Sequence, residues 1–175
     1  MRTEMHLVSK LPESMQIELK SRVDREFGSV PIVREHVWAE PTWAFLGFVD
    51  DQLVSFLNVV DRQVLADSET RHFFGLNNVI TDPQHRGKGY SKVLNRNVIE
   101  FMSESDPNAC GFLFCANDLI PFYTDLGWKK FEGEVIVSQP SGDKRWQSNA
   151  MFYDFSGSHS QSQSWKTVHL CGLPW

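Results

Sequence analysis

Two glycines near the middle of the chain mark the place best suited to bind a phosphate group. Gly87 and Gly89 stand in residues 77–91, which run from a predicted strand into a predicted helix. The exposed N–H groups of a glycine-rich turn, together with the dipole of the following helix, bind a phosphate or pyrophosphate. Arg86 and Lys88 add positive charge beside these amides. An ordinary glycine-containing turn before a helix is the alternative interpretation.

The loop differs from the common nucleotide-binding motifs. It contains neither the P-loop pattern G-x-x-x-x-G-K-[ST] nor the dinucleotide pattern G-x-G-x-x-G. Nucleoside triphosphates and dinucleotides are therefore poorly supported as ligands.

Two short motifs, in this order, are similar to those of a known superfamily. Gln84-x-x-Gly87-x-Gly89 resembles the acetyl-CoA pyrophosphate loop of the GNAT N-acetyltransferases, written [RQ]-x-x-G-x-[GA]. Downstream, Tyr123-x-x-x-Gly127-Trp128 resembles their Tyr-x-x-x-Gly-[FW] segment, in which the tyrosine stands beside the sulfur of coenzyme A. The resemblance implies an N-acetyltransferase of the acyltransferase class that uses acetyl-CoA as its cosubstrate.

The resemblance also assigns the residues that would bind acetyl-CoA. In the superfamily the strand before the loop separates from its neighbour at a bulge, and the pantetheine arm pairs with the free edge. The cofactor-binding residues expected on this basis are Val79, Ile80, Thr81, Gln84, His85, Arg86, Gly87, Lys88, Gly89, Tyr90 and Asn117. Asn117 has a simpler interpretation too, because Asn117 and Asp118 are typical caps of the helix that carries Tyr123.

Within the superfamily the resemblance is strongest to aminoglycoside 2'-N-acetyltransferases. The shared features are the Phe122-Tyr123-x-x-x-Gly127-Trp128 form, the hairpin-rich region after it and a chain end, residues 170–175, that finishes on Trp175. In that family the chain end reaches the acceptor pocket. The sequence departs from the family at Asn77, where a glutamate is expected. A carboxylate for the acceptor amine is therefore missing at that position.

Direct attack of an amine on a thioester requires two proton transfers. An alkylammonium with a pKa of ~10.4 is only about 0.04% neutral at pH 7, which costs about 4.6 kcal/mol unless the site assists. The candidate bases, each also a common surface group, are His72, His36, Glu35, Asp61 and the carboxylate of Trp175. A phenol can protonate the departing thiolate, so Tyr123 is the expected catalytic acid, with core packing as the alternative. A backbone N–H between Asn78 and Ile80 is the expected oxyanion donor, and Asn78 is accordingly a catalytic candidate.

The acceptor is expected to be a small cationic amine, either an aminoglycoside-like amino sugar or a polyamine. An acidic chain with aromatic groups at its pocket attracts and covers such a molecule. The predicted substrate-binding residues are Glu35, Trp38, Asn77 and Trp175, with residues 148–175 forming part of the site. Two alternatives remain. One is a catalytically silent acyl-CoA-binding or sensor module, which Asn77 favours, and the other is an acetyltransferase directed at proteins.

Hydrophobic periodicity predicts the elements that position these residues. A helix after Pro12 would bury Met15, Leu19, Val23 and Phe27 and end at Gly28, and a second would follow the glycine loop. A third helix of about ten residues would reach Gly127, while 31–41 is either a short helix or a loop. The predicted strands are 4–9, 43–49, 53–60, 71–81, 111–115, 128–138, 149–155 and 165–170. This order favours an α/β or α+β fold with a mixed, mostly antiparallel sheet and helices on both faces.

Length and composition exclude several classes of protein. A chain of 175 residues is expected to form one domain, 1–175, and its net charge of −5 argues against a non-specific nucleic-acid binder. No apolar stretch approaches the ~18 residues of a membrane span. The first residues carry no hydrophobic core of a signal peptide either, so a cytoplasmic protein is expected. Cys110, Cys115 and Cys171 are odd in number and form no C-x-x-C pair, so no disulfide framework is expected. The histidines lack metal-ligand spacing, so no metal is expected. The sequence allows either a monomer or a homodimer. Residues 156–164 are predicted to be a polar loop.

Overall fold

The computed structural model describes residues 1–155 and 165–175, which form one mixed sheet with helices on both faces. The helices of this described part are α1 (Glu13–Phe27), α2 (Pro31–Arg34), α3 (Tyr90–Ser105) and α4 (Ile120–Thr124). Its strands are β1 (Arg2–Leu7), β2 (Trp43–Val49), β3 (Gln52–Ala66), β4 (Glu69–Thr81), β5 (Cys110–Cys115), β6 (Lys129–Phe131), β7 (Glu134–Gln139), β8 (Gly142–Arg145), β9 (Asn149–Asp154) and β10 (Thr167–His169). The predicted loop at 156–164 lies outside the described residues.

The sheet is mixed and mostly antiparallel, as the sequence predicted. Its strand order is β6-β9-β5-β4-β3-β10-β7-β8, with β2 also paired to β3 and β1 paired to β2. Only the β4–β5 and β10–β7 pairs are parallel within this described sheet. The predicted hairpin between β2 and β3 is confirmed, and its turn residues Asp50 and Asp51 have φ angles of 48° and 59°. Aspartate is among the residues that tolerate the left-handed conformation such a turn requires.

The strands β6 and β7 follow each other in the chain but lie far apart in the strand order of the sheet. The sheet must therefore curl to bring them together. The predicted single strand 128–138 is wrong at this point, because Glu132 and Gly133 separate β6 from β7. A Cβ atom at Gly133 would overlap the ring of Phe131 and lie 2.7 Å from the carbonyl oxygen of Lys166. Glycine therefore allows the chain to leave β6 and cross to β7. The curled half encloses an apolar core to which β3, β4, β5, β6, β7, β9 and β10 all contribute.

Two helices cover opposite faces of the sheet beside this curled half. On α3, Leu94, Val98 and Met102 are fully buried in a cluster that also contains Phe74 and Leu113 of the sheet. On the other face, the predicted stripe of α1 packs in a cluster with Leu46, Phe56 and Ile80. The helical periodicity read from the sequence is thus confirmed for both helices.

The predicted ten-residue helix before Gly127 is shorter in the structure. Residues Asn117–Leu119 form a 3-10 turn, and α4 then covers only Ile120–Thr124. Pro121 explains part of the difference, because proline has no N–H to donate and is tolerated only in the first turn of a helix. The strand β8 was not predicted, since its residues are all exposed and lack an apolar alternation.

Candidate active site

Strands β4 and β5 separate towards their carboxyl ends and leave a free edge. Their pairing extends from Phe73↔Cys110 to Leu76↔Leu113, although β4 continues for five residues beyond Leu76. On its other side, β4 stays paired with β3, but the register shifts so that Asn78 and Val79 lie opposite Leu57 alone. Asn78 has a φ of +52°, and asparagine is one of the few residues that adopts this conformation readily. A bulge therefore stands where the two strands part.

The glycine loop lies between a 3-10 turn after β4, Pro83–His85, and the start of α3. Gly87 and Gly89 have φ angles of +75° and +78°, and Gly89 is the N-cap residue of α3. A Cβ atom added at either glycine would meet nothing within 4 Å. The space beside both glycines is open, so no side chain there blocks a phosphate from the loop or from the positive end of the α3 dipole.

The two cations of the loop have different surroundings. The Arg86 guanidinium donates to both carboxylate oxygens of Glu26 at 2.7 Å, and its Nε donates to the carbonyl oxygen of Thr81 at 3.1 Å. Lys88 is exposed and forms no ion pair within residues 1–155 and 165–175. Arg86 therefore fastens the loop to α1, and Lys88 is the cation that is free to meet a phosphate.

Tyr123 lies near the carboxyl end of β5, on the α3 side of the sheet. Its side chain is 5% exposed and packs in the same cluster as Leu113 and Cys115. Burial, with a smaller contribution from Cys115, raises the pKa of the phenol above its usual value. The hydroxyl makes no hydrogen bond to any other described residue. Tyr123 is thus a neutral phenol with an unused donor.

The opposite side of the strand gap is lined by amides and aromatic rings. Asn77 faces this side and lies directly across from Asn58 of β3. Two residues earlier on the same strand, Gly75 makes room for Trp175, because a Cβ atom there would overlap the indole. Trp175 is 2% exposed, and its Nε1 donates to the carbonyl oxygen of Phe112 at 3.1 Å.

An aromatic wall continues from Trp175 towards residues 31–41. Phe114, which follows the last residue of β5 that pairs with β4, stacks on Trp146 with ring centroids 4.2 Å apart. Trp146 in turn contacts the edge of Trp38 at 5.8 Å and of His36 at 5.3 Å. The backbone N–H of Ala39 donates to the carbonyl oxygen of Pro174 at 2.7 Å. Segments distant in sequence therefore meet on one side of the strand gap.

The comparison with protein families decides what this arrangement is. Residues 21–131 match the family model described as the acetyltransferase (GNAT) domain. The chain belongs to the GNAT acetyltransferases. The predicted enzyme class, an N-acetyltransferase, is thereby confirmed.

Solved structures share the GNAT fold at low sequence identity. ElaA from Escherichia coli is 16% identical, with a TM-score of 0.62 over 87% of this chain and 98% of its own. An acyl-CoA N-acyltransferase from Pseudomonas aeruginosa is 12% identical, with a TM-score of 0.61 over 87% and 98%. YhbS from Escherichia coli, solved in complex with CoA, is 14% identical, with a TM-score of 0.61 over 97% and 89%. No curated protein sequence matches the chain significantly.

These comparisons confirm the GNAT-like fold and leave the acceptor unidentified. The resemblance to aminoglycoside 2'-N-acetyltransferases therefore stays a prediction. Two further observations concern the described residues alone. No helix among them is long and apolar enough to cross a membrane. No group of three or more His, Cys, Asp or Glu side chains in 1–155 and 165–175 is placed to hold a metal ion.

The predicted acetyl-CoA residues lie on two segments of this GNAT domain, namely the end of β4 with the loop that follows it, and the turn after β5. Val79, Ile80 and Thr81 form the free end of β4, and Gln84 to Tyr90 form the loop and the first residue of α3. Asn117 lies just beyond β5, where its side-chain oxygen accepts a hydrogen bond of 2.9 Å from Asn149. Asn117 also borders a cleft of about 320 Å³ between residues 130–135 and 145–150. The open space beside Gly87 and Gly89 is compatible with a phosphate-containing ligand.

The predicted acceptor residues are brought together only in part. Trp38, Asn77 and Trp175 lie on the same side of the sheet, whereas Glu35 is exposed and forms no ion pair in the described part of the chain. Sequence reasoning missed Phe114, Trp146 and Asn58. Phe114 and Trp146 read as ordinary core residues, and a lone asparagine in an apolar strand was the only available signal for Asn58.

Two candidate bases lie at a different end of the sheet. The Nε2 of His72 lies 2.7 Å from Oδ1 of Asp61. Its Nδ1 lies 2.8 Å from Oδ2 of Asp106, the residue after α3. His72 lies on the α3 face of β4, four residues before Leu76, the last residue of β4 that pairs with β5. This geometry does not support the predicted role of His72 or Asp61 as a base, because the two side chains are hydrogen-bonded to each other.

Proposed function

We propose that the protein transfers the acetyl group of acetyl-CoA to the primary amine of a small cationic acceptor, an amino sugar or a polyamine, by direct attack. The observation that carries this proposal is the free edge of β4. The glycine loop follows this edge in the chain, and the buried phenol of Tyr123 packs in the same cluster as Val79 of β4. In this proposal one GNAT domain supplies a loop that binds phosphate, unpaired backbone groups on the edge of β4, and a phenol that can donate a proton.

In this proposal the loop binds the donor substrate through its backbone. The amides of residues 86–90 and the exposed Lys88 hold the pyrophosphate, while the Arg86–Glu26 contact keeps the loop against α1. The pantetheine arm pairs with the edge of β4 that β5 leaves free. A backbone N–H of residues 78–80 stabilises the negative charge that develops on the thioester carbonyl.

Tyr123 acts at the end of the reaction. The amine attacks the carbonyl carbon, the carbon–sulfur bond breaks, and the sulfur takes the proton of the phenol. A buried tyrosine with a raised pKa is fully protonated at neutral pH and ready to donate. The attacking nitrogen loses its proton to solvent or a neighbouring group, and the tyrosinate regains a proton from solvent.

The negative charge of the chain and of residues 31–41 supports a cationic acceptor. The exposed Glu35 and Glu40 stand on the 31–41 segment that meets the chain end at Pro174, and the net charge of the chain is −5. An acidic surface raises the local concentration of a cation and increases its rate of association.

A catalytically silent acyl-CoA-binding module is the second candidate, favoured by the neutral amides at Asn58 and Asn77. The two are separated by incubating the protein with acetyl-CoA and a panel containing glucosamine, kanamycin, spermidine and cadaverine, with free thiol release as the readout. Thiol release that depends on an amine is expected. Acetyl-CoA binding with no amine-dependent thiol release between pH 6 and 10 would contradict the transferase and favour the binding module.

A further inference from the structure

Positive charge is concentrated in the glycine loop and the first half of α3. Residues 83–99 contain four cations and no aspartate or glutamate, in a chain whose net charge is −5. These cations are Arg86, Lys88, Lys92 and Arg96. Arg86 is paired with Glu26 of α1, whereas the other three follow one another at intervals of four residues. We call Lys88, Lys92 and Arg96 the basic stripe.

The charges of α3 oppose its helix dipole. Acidic residues are favoured at the N-terminus of a helix, and basic residues are favoured in its last turn. The helix α1 follows this rule, with Glu13 in its first turn and Arg25 in its last. The helix α3 has no acidic residue in its first turn, which contains Lys92, and no basic residue in its last turn.

Repulsion within the basic stripe adds to this unfavourable arrangement. Lys92 and Arg96 stand four residues apart on α3, and like charges at this spacing destabilise a helix. A sequence that breaks local rules in this way is typical of a functional site. A bound polyanion would compensate the positive charge.

The neighbouring carboxylates neutralise only one of the three cations. The Nζ of Lys92 lies 3.5 Å from Oδ2 of the exposed Asp125. Arg96 is exposed and makes no ion pair or hydrogen bond with any described residue, although Glu100 follows it by one helical turn. Lys88 is likewise unpaired in the described part of the chain. Both ends of the basic stripe are therefore available to a ligand.

The proposed pyrophosphate site accounts for one end of the stripe only. Gly89 is the N-cap residue of α3, so a pyrophosphate on the loop lies beside Lys88. Arg96 is seven residues further, about 10 Å along the helix axis. Helical side chains lean towards the N-terminus of their helix, so Arg96 extends back over the turn that contains Lys92. A second anionic group close to the pyrophosphate would meet these two side chains.

Coenzyme A carries such a group. Its third phosphate is attached to the 3' carbon of the ribose, and this ribose is itself bonded to the pyrophosphate. One sugar therefore separates the two phosphate positions. A guanidinium binds phosphate oxygens through two parallel hydrogen bonds, which makes Arg96 the better suited of the two cations.

We infer that Arg96, together with Lys92, binds the 3'-phosphate of coenzyme A, so that the enzyme prefers CoA thioesters to phosphopantetheine thioesters that lack this phosphate. The inference rests on the proposed function, because it requires the pyrophosphate on the glycine loop. It concerns the donor substrate alone and holds for any acceptor.

The first test compares the binding of CoA and 3'-dephospho-CoA to the wild-type protein by calorimetry. The two ligands share the pyrophosphate and the pantetheine arm and differ only in the 3'-phosphate. The Kd of dephospho-CoA should exceed that of CoA by about tenfold or more. Equal Kd values would overturn the inference and leave the loop as the pyrophosphate site. If neither ligand binds, the proposed donor site fails as well.

The second test replaces Arg96 with alanine, with Lys144→Ala as the matched control. Lys144 lies on β8 and is also an exposed cation without an ion pair to a described residue. Arg96→Ala should raise the Kd of CoA about fivefold or more and change that of dephospho-CoA less than about twofold. Lys144→Ala should change neither. An equal rise of both Kd values in Arg96→Ala would indicate general electrostatic attraction and overturn the inference, as would unchanged values.

Thermal unfolding shows whether Arg96 has a structural role instead. Alanine removes the repulsion from Lys92 and is the best helix former, so Arg96→Ala should not lower the melting temperature of the ligand-free protein. The rise in melting temperature on adding CoA should be smaller than for wild type at the same CoA concentration. A lower melting temperature of the free variant with an undiminished rise would show that Arg96 is structural and overturn the inference.

Discussion

The proposed donor side and the proposed acceptor side of this GNAT domain are built in different ways. The donor side consists of a strand end, a glycine loop and a helix start that are contiguous from Val79 to Tyr90, with Tyr123 added from α4. The acceptor side is assembled from β3, residues 31–41, Phe114, Trp146 and the chain end, which are up to 137 positions apart, from Trp38 to Trp175. A local site tolerates changes elsewhere in the chain, whereas the assembled wall depends on the packing of the whole curled core.

Tyr123 tests the donor side most directly. Replacing it with phenylalanine removes the proton donor and leaves the packing with Trp128 intact. A general acid typically contributes 10²–10⁴ in rate, so kcat should fall by about that factor while the acetyl-CoA Kd holds. Steady-state kinetics and calorimetry measure the two quantities. Tyr153→Phe is the control, and a kcat within threefold of wild type for Tyr123→Phe would show that the tyrosine only packs.

Trp175 tests the acceptor side, where binding and stability are expected to change together. Deleting the last three residues, or making Trp175→Ala, removes an indole that is 2% exposed from the curled core. Large-to-small substitutions of this kind cost about 3–5 kcal/mol of unfolding free energy. Denaturant unfolding measures this loss.

The milder Trp175→Phe separates the binding role from the structural one. It keeps a ring over Gly75 but loses the hydrogen bond to Phe112. The acceptor KM should rise several-fold with the acetyl-CoA Kd unchanged. An equal loss of affinity for both substrates would mean that Trp175 is structural alone.

Gly87 tests whether the donor site depends on open space at the loop. Valine there would place a branched side chain where the phosphate approaches, so the affinity for acetyl-CoA should fall at least tenfold, about 1.4 kcal/mol. Gly142→Val is the matched control, because Gly142 also has a positive φ of 108° and open surroundings but lies in the β7–β8 hairpin. Calorimetric affinity that is unchanged for Gly87→Val would remove the loop from the donor site.

His72 should affect stability and neither side of the active site. Burial lowers the pKa of its imidazole, but hydrogen bonds to Asp106 and Asp61 outweigh burial and raise that pKa above the usual value. The hydrogen bond to His72 lowers the pKa of Asp106. The stabilisation from His72 is present below pH ~6.5 and is lost as the pH rises through the raised pKa. The contribution of Asp106 is present above pH ~3.9 and is lost as the pH falls through the lowered pKa.

The expected result for His72 is therefore a difference that depends on pH. His72→Gln should lower the melting temperature more at pH 5.5 than at pH 8.5, with kcat and both substrate affinities unchanged. Thermal unfolding of both proteins at the two pH values measures this. Equal melting-temperature losses at both values would mean that the imidazolium makes no net contribution.

Local patterns predicted much of this fold, and their failures have identifiable causes. The stripe of α1 and the hairpin at Asp50-Asp51 were predictable because helix and turn preferences act over a few residues. The division of 128–138 into β6 and β7 was not, because the break at Glu132 and Gly133 depends on a contact with the distant Lys166, which approaches Gly133 closely. The contact of Arg86 with Glu26, 60 positions away, was likewise not predictable from the loop sequence.

The sequence by itself determined the donor side, because the glycines, the bulge asparagine and the start of α3 are neighbours in the chain and their backbone preferences act locally. It also determined the presence of a tyrosine motif in the order typical of GNAT proteins. Only the tertiary structure decided which side chains come together at the proposed acceptor site. Asn58 and Asn77 meet through strand register, and Trp38, Trp146 and Trp175 meet through the curl of the sheet. Register and curl depend on the packing of the entire core, so no short segment carries them.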